Sequence, residues 1–253
     1  MTALKQNVPV IGAPCWVNLM SHDLEAAHAF YRAVLSWEFR NSGLGDEFSV
    51  ALASGGSPVA GVGSRSNSIC LPAVWTPYFA VTDADQAGAR IRERGGIVAI
   101  GPIAMGGGRA GLAADPDGAV FGFWEGPTLA WSVGDGAAPA RLALQTRDAR
   151  NAASFYTQVF KWAEPDFHLD HDHNQIGVQA GGQTVAVLRE GGNEADFGLQ
   201  IWPRWIVDFH VEDPPGTAAA AVDAGGMSSR VAGAGEAHVI RDSEGGIFAI
   251  SKV

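Results

Sequence analysis

The chain has 253 residues, 47% of them hydrophobic, which is long enough for two domains of ordinary size with a core each. Charged residues account for 17% and the formal net charge is -10, a composition typical of a globular protein and not of a disordered one. The Lys and Arg residues are scattered and form no basic run, which argues against nucleic acid as a partner.

The cysteines and the hydrophobic pattern exclude further classes of protein. Cys15 and Cys70 are too few for a disulfide framework, and they do not form a CxxC pair for zinc or redox chemistry. The N-terminus carries no apolar export segment, and no apolar run reaches about 18 residues. We therefore expect a cytoplasmic protein that does not associate with a membrane and that is a monomer or a homodimer.

The first strand and helix of the chain recur in its second half. In both copies an alternating strand runs into an Asp, the helix that follows carries a Phe-Tyr pair, and a Trp comes next. The matching residues are Asp23, Phe30, Tyr31 and Trp37 in the first copy and Asp148, Phe155, Tyr156 and Trp162 in the second. Because the offset between the copies is constant, the pattern indicates a duplication.

A second pair of repeats follows the first pair. Residues 75–83 match residues 205–213, and an Ala-rich helix ending in Gly-Gly comes after each segment. Turns at 115–118 and 242–245 then precede an aromatic strand. Every repeat therefore consists of a strand, an Asp-capped helix and three short strands, which is a βαβββ module.

These repeats predict an α+β fold made of four modules, at residues 12–66, 73–127, 139–191 and 203–253. The modules pair into a first domain over residues 1–127 and a second over residues 139–253. The segment 128–138, in which Gly, Ala and Pro are frequent, is the predicted linker.

The motifs closely resemble the vicinal oxygen chelate superfamily, which includes glyoxalases, bleomycin resistance proteins and extradiol dioxygenases. The Asp, the helix with Phe-Tyr, the Trp and the Asp-Pro-Asp-Gly turn at 115–118 carry the resemblance, which covers nearly the whole chain. More narrowly, the chain is similar to a two-domain actinobacterial glyoxalase-like branch, some of whose members belong to polyketide antibiotic pathways. The resemblance implies that each pair of modules curls a mixed sheet around a cleft, with the helices outside.

The metal ligands of this superfamily are replaced. Metal-dependent members place a His at the start of a module's first strand and a Glu in its last strand, and these groups suit a divalent ion. The His positions hold Trp16, Thr76, Arg141 and Ile206, and the Glu positions hold Gly122 and Ala249. We therefore expect no metal ion and no other cofactor. The run from His168 to His173 keeps one metal alternative open, beside its interpretation as a solvated polar hairpin.

Strand alternation predicts which side chains face the first cleft. The candidates for binding a ligand there are Trp16, Asn18, Thr76, Tyr78 and Trp124. Large aromatic side chains in a cleft either stack on a ligand or fill the cleft, and the sequence leaves both interpretations open.

The second cleft is predicted to be polar. Its candidates are Arg141, Gln145, Asp208, His210 and Ser251. Asp208 and His210 stand two residues apart on one strand, so both emerge on the same face as a candidate acid–base pair. Arg141 is a candidate to stabilise a developing enolate or phenolate. The alternative is that Arg141 and Asp208 only neutralise each other.

Together these patterns favour a metal-independent protein that binds an aromatic or polyketide-like small molecule in antibiotic biosynthesis or resistance. Whether it also transforms that molecule by acid–base chemistry, as a lyase- or isomerase-type tailoring enzyme, stays open. The alternative function is a metal-dependent glyoxalase-like lyase or dioxygenase, which the replaced ligand positions oppose.

Overall fold

A computed structural model of the chain describes residues 6–7, 10–64, 73–129, 131–134, 136, 138–139, 141–162, 166–172, 175–191, 203–231 and 235–252. Cys70 and His173 lie outside the described residues, as does the side chain of Asp172.

The first half of the chain forms a short strand and one eight-stranded mixed sheet with two helices. The elements are β1 (Gln6–Asn7), β2 (Pro14–Ser21), α1 (Leu24–Leu35), β3 (Glu38–Asn41), β4 (Phe48–Leu52), β5 (Pro58–Ser64), β6 (Val74–Ala80), α2 (Ala84–Glu93), β7 (Ile97–Met105), β8 (Gly108–Ala114) and β9 (Val120–Glu125). The order of strands across the sheet is β3-β4-β5-β2-β6-β9-β8-β7.

The second half repeats this arrangement. Its elements are β10 (Thr128–Leu129), β11 (Arg141–Thr146), α3 (Ala149–Phe160), β12 (Phe167–Asp172), β13 (Gln175–Ala180), β14 (Gln183–Glu190), β15 (Arg204–Val211), α4 (Pro214–Asp223), β16 (Met227–Arg230), β17 (His238–Arg241) and β18 (Ile247–Lys252). The strand order, β12-β13-β14-β11-β15-β18-β17-β16, is that of the first sheet with each strand replaced by its repeat.

Each sheet contains two βαβββ modules, and in every module the first strand pairs in parallel with the last. The predicted α+β class and the four modules are therefore confirmed. The four helices begin where the repeats place them, after Asp23, Asp83, Asp148 and Asp213. Each of these side chains accepts a hydrogen bond from a backbone N–H of the first helical turn, which would otherwise lack a partner.

The chain divides into two compact units that do not follow chain order. Unit 1 comprises residues 1–16, 77–134 and 141–205, and therefore most of the second and third modules. Unit 2 comprises residues 17–76, 135–140 and 206–253, and therefore most of the first and fourth modules. The predicted domain boundaries stay a prediction.

A hydrogen-bonded trio of buried side chains joins residues of three modules in each unit. In unit 2 the Tyr31 hydroxyl donates to Asp242 Oδ2 at 2.8 Å and accepts from Trp75 Nε1 at 3.1 Å. In unit 1 the Tyr156 hydroxyl donates to Asp115 Oδ2 at 3.0 Å and accepts from Trp205 Nε1 at 3.0 Å. Both carboxylates also accept backbone hydrogen bonds within their own turns, so each trio ties a helix to a turn and to the start of a strand.

Aromatic rings surround both trios. In unit 1 the rings of Phe79 and Phe160 stack with centroids 4.6 Å apart, and Trp162 stacks on Tyr156 at 5.6 Å. In unit 2 Trp37 stacks on Tyr31 at 5.3 Å. These buried rings form the core of each unit, because large aromatic side chains remove the most apolar surface from water.

Part of the predicted linker is packed in unit 1. Strand β10 pairs antiparallel with β1. Trp131 and Val133, which follow it, are buried. None of the helices in the described part of the chain is both long and apolar enough to span a membrane.

Candidate ligand-binding site

An aromatic face lies on the second module, in unit 1, and is formed by Tyr78 and Trp124 with Gly122. Tyr78 stands opposite Gly122 in the parallel register of β6 and β9, and Trp124 is two residues further along β9. Gly122 has no side chain, and a Cβ atom there would overlap the ring of Tyr78. The Tyr78 ring therefore lies directly over the Gly122 backbone and occupies the space where another residue type would place its side chain.

Trp124 is held in place by its surroundings. Its indole Nε1 donates a 3.0 Å hydrogen bond to the carbonyl of Pro127. Its ring lies against Gly108 on the neighbouring strand, where a Cβ atom would clash with it. Trp124 stays half-buried, so its ring is both fixed and partly open to solvent, as a stacking surface for a ligand requires.

Trp16 lies at the start of β2 and packs on Trp131, a residue that sequence reasoning left in the linker. The two ring centroids are 5.8 Å apart and the planes are tilted by 57°. Trp131 is 7% exposed, whereas Trp16 is half-buried. The buried Trp131 thus packs against Trp16, and only its aromatic character within a Gly- and Ala-rich segment could have indicated such a role.

Asn18 of the first module and Thr76 of the second lie in unit 2. Asn18 is half-buried on β2 and stands opposite Gly61 of β5, where a Cβ atom would overlap the Asn18 amide oxygen. Thr76, on β6, is only 4% exposed and belongs to the packed interior. Asn18 therefore remains a candidate for contacting a ligand, while access to Thr76 is restricted.

The polar face of unit 2 is built from β15 and β18. Asp208 is 5% exposed, and its Oδ1 accepts a 2.9 Å hydrogen bond from the Ser251 hydroxyl. His210 is exposed and stands opposite Ser251 in the register of the two strands. The three predicted residues share one face, and Ser251 is the neighbour of both Asp208 and His210.

The remaining predicted residues, Arg141 and Gln145, lie on β11 in unit 1. Both are half-buried, and the residues between them, Leu142 and Leu144, point to the core with no exposed surface. The predicted convergence of Arg141 with Asp208 and His210 stays a prediction.

Open grooves elsewhere in unit 1 do not coincide with these faces. One has a volume of about 770 Å³ and is lined in part by Ile11, Lys161, Phe167 and His168. Lys161 and His168 are exposed, so a ligand in this groove would leave its charged contacts in water and gain little from them.

Comparisons with known proteins agree with the repeats. Residues 15–123 match the family described as the Glyoxalase/Bleomycin resistance protein/Dioxygenase superfamily, and residues 141–251 match a Glyoxalase-like domain. The anthracycline biosynthesis protein DauV of a Streptomyces species is 30% identical over 244 residues, covering 85% of this chain and 82% of DauV. The chain belongs to the glyoxalase/bleomycin resistance/dioxygenase superfamily.

One further relative and one solved structure show how much of the chain these similarities cover. CFP32 of Mycobacterium bovis is 30% identical over 263 residues, which cover 95% of this chain and 95% of CFP32. The Mn(II)-bound glyoxalase from Novosphingobium aromaticivorans has the same fold, with a TM-score of 0.60 at 17% identity over 96% of this chain and 82% of that chain. The superfamily fold thus covers nearly the whole of this chain.

The residues at the superfamily's metal positions do not fit a divalent ion. Arg141 is a permanent cation, Ile206 is buried and apolar, and the space at Gly122 is filled by the Tyr78 ring. Within the described ranges no three His, Cys, Asp or Glu side chains come together as a ligand set. No chemical step is therefore assigned to a metal ion here.

The histidines outside these faces have different surroundings. On β12, His168 and His171 are exposed. His28 on α1 is 7% exposed, its Nε2 lies 2.7 Å from the Ser49 hydroxyl, and its ring stacks on Phe39 at 3.9 Å. Burial, assisted by the Arg32 cation, lowers the pKa of His28. His28 is therefore a packing residue.

Proposed function

We propose that this protein binds a planar aromatic, polyketide-like small molecule without the divalent ion that metal-dependent members of its superfamily use. The observation that carries the proposal is the Tyr78 ring over Gly122. At this position the resemblance places a metal-binding carboxylate, and here an aromatic ring takes its space. A site in which an aromatic ring replaces a carboxylate favours the stacking of a flat ligand over the coordination of a metal ion.

The aromatic face and, on β2, Trp16 offer what a flat ligand needs. Trp124 is fixed by its hydrogen bond to Pro127, and Trp16 is supported by Trp131, so neither ring loses much conformational freedom on binding. The relative DauV is named for anthracycline biosynthesis, and the proposed ligand class is in keeping with that name. The ligand class of the proposal is thus consistent with both the side chains and that relative.

The proposal is tested by calorimetric titration with 1,8-dihydroxyanthraquinone, a planar tricyclic probe, using protein treated with EDTA. We expect saturable binding that EDTA leaves unchanged. Trp124→Ala should weaken it by about 1–3 kcal/mol, the scale of a lost aromatic contact at a binding site. The exposed Leu44, on a loop of unit 2, provides the control variant Leu44→Ala, whose affinity should equal that of the unaltered protein.

Metal analysis of the purified protein separates this proposal from a metal-dependent lyase or dioxygenase. We expect Zn, Mn, Fe and Ni well below one equivalent. Stoichiometric metal, together with probe binding that is lost in EDTA and restored by Mn²⁺ or Zn²⁺, would establish the metal-dependent alternative instead.

A second candidate function, transformation of the bound molecule, is supported by the hydrogen bond from Ser251 to Asp208. A buried carboxylate beside an exposed imidazole on one face can exchange protons with a substrate without a metal. Once a substrate is found, Asp208→Asn and His210→Ala should each lower turnover about 100-fold with the fold unchanged. Near-normal rates in both variants would leave binding as the function.

A further inference from the structure

The third module, in unit 1, presents a polar face that the aromatic proposal does not use. Gln145 of β11 stands directly opposite Arg189 of β14 in the parallel register of the two strands. Both are half-buried, whereas Leu144 and Leu188, which precede them, are fully buried on the opposite face. Arg141 lies four residues before Gln145 on the same side of β11, so two guanidinium groups and one amide share this surface.

The amide oxygen of Gln145 lacks a donor. Its Oε1 atom is buried and accepts no hydrogen bond from any part of the chain that the structure describes. A buried acceptor in this state is costly, because it has given up water without gaining a partner. Such an atom is available to accept a hydrogen bond from a ligand hydroxyl.

We propose that this face binds a hydroxy acid or a comparable hydroxylated oxyanion. The ligand's hydroxyl donates to Oε1 of Gln145, and its anionic oxygens lie against the guanidinium group of Arg189, with Arg141 adding positive charge. A guanidinium suits a carboxylate or enolate because its N–H groups form paired, charge-assisted hydrogen bonds. Arg189, which the sequence did not single out, is the residue that selects the anion.

The experiment compares mandelate with phenylacetate, two carboxylates that differ only in one hydroxyl, by calorimetric titration. The unaltered protein should bind mandelate about 10-fold more tightly, the scale of one hydrogen bond to an otherwise unpaired atom. In Gln145→Leu the two affinities should become equal. In Arg189→Met the affinities for both compounds should fall at least about 10-fold. The affinities of Arg189→Lys should lie between those of Arg189→Met and the unaltered protein, because lysine keeps the charge but lacks the planar guanidinium group.

Two controls make the outcome decisive. Gln158→Leu, on the exposed side of α3, should bind both probes as the unaltered protein does. In the absence of ligand, Gln145→Leu should keep or raise the Tm, because it removes an unpaired acceptor. A lowered Tm would show that Arg189 already donates a hydrogen bond to the Gln145 amide, and this result would overturn the proposal.

Equal binding of mandelate and phenylacetate, or no binding at millimolar concentrations, would also overturn it. Benzyl alcohol, which lacks the carboxylate, should not bind, and binding equal to that of mandelate would contradict the role of Arg189. None of these variants alters Trp16, Tyr78 or Trp124. If hydroxy-acid binding is not found, the proposal of aromatic ligand binding is therefore unaffected. If aromatic ligand binding is not found, the hydroxy-acid proposal is likewise unaffected.

Discussion

The hydroxyl of Tyr31 donates to Oδ2 of Asp242 at 2.8 Å, across 211 positions of sequence. The same bond recurs in unit 1 between Tyr156 and Asp115. In both cases a tyrosine from the helix of one module meets the closing turn of another module within the same compact unit. The contact therefore links modules that are distant in sequence, and buried hydrogen bonds of this kind specify which surfaces pair.

Replacing Tyr31 by Phe should destabilise the protein by about 1–3 kcal/mol. The variant keeps the ring but leaves Asp242 Oδ2 and Trp75 Nε1 without their buried partner. Urea unfolding followed by circular dichroism measures the change in the free energy of unfolding.

Tyr156→Phe is the matched variant, because Tyr156 makes the same two hydrogen bonds in unit 1. Its loss of stability should be similar to that of Tyr31→Phe. A change below about 0.5 kcal/mol in both variants, as at ordinary surface positions, would contradict the role assigned to these hydroxyl groups.

Alkaline pH should unfold the protein through these tyrosines. Burial raises the pKa of Tyr31 and Tyr156 well above their ordinary value, and the nearby carboxylates of Asp242 and Asp115 raise it further. The pKa of a tyrosine in the unfolded chain is about 10. The stability that the two buried hydroxyl groups contribute is therefore complete below pH 10 and is lost as the pH rises above it.

The measurement follows tyrosinate absorbance and circular dichroism together during an alkaline titration. Ionisation of Tyr31 and Tyr156 should coincide with unfolding, and Tyr31→Phe should remove its share of the absorbance change. Full ionisation of all tyrosines in a protein that keeps its native circular dichroism would show that the two hydroxyl groups are accessible.

The repeats predicted the four modules, because strand alternation and capping Asp residues are local signals. They did not predict the pairing of Tyr31 with Asp242. Aligning the repeats shows which residues hold equivalent positions in different modules. Tyr31 and Asp242 do not hold equivalent positions, since one lies in a helix and the other in a closing turn, so the alignment cannot show that they are in contact. Trp131 and Arg189 were missed for related reasons: the first lies in a segment of linker composition, and the second faces the site only through the register of β14 with β11.

Acid should destabilise the protein through His28. Its pKa is lowered, mainly by burial and also by Arg32, although Glu25 acts in the opposite direction. The contribution of His28 is fully present above its unfolded pKa of about 6.5 and is lost as the pH falls toward the lowered folded value, because the unfolded chain takes up the proton first. His28→Gln should therefore flatten the pH dependence of the unfolding free energy below about pH 6.5.

The comparison with His28→Gln is needed because two other groups change the unfolding free energy in the opposite direction as the pH falls. Burial raises the pKa of Asp115 and of Asp242, so the folded state gains stability relative to the unfolded state as these carboxyl groups take up protons. Substitution of the exposed Gln158 by Ala removes no titratable group; it is the control and should leave the slope unchanged. An unchanged slope in His28→Gln would mean that His28 takes up its proton equally easily in the folded and unfolded states.

Gly122→Ala should disturb the aromatic face, because the added Cβ would overlap the ring of Tyr78. Overpacking of this kind costs about 1–3 kcal/mol, since the ring or the strand must shift. The matched control is Gly177→Ala on β13, where a Cβ would meet Asp170 at an ordinary 3.7 Å. Removing the ring in Tyr78→Ala should make the Gly122→Ala substitution nearly neutral, so the two changes are expected to be strongly non-additive. Additive losses in a double-mutant cycle would show that Tyr78 does not occupy the space at Gly122, which would remove the observation on which the proposed function rests.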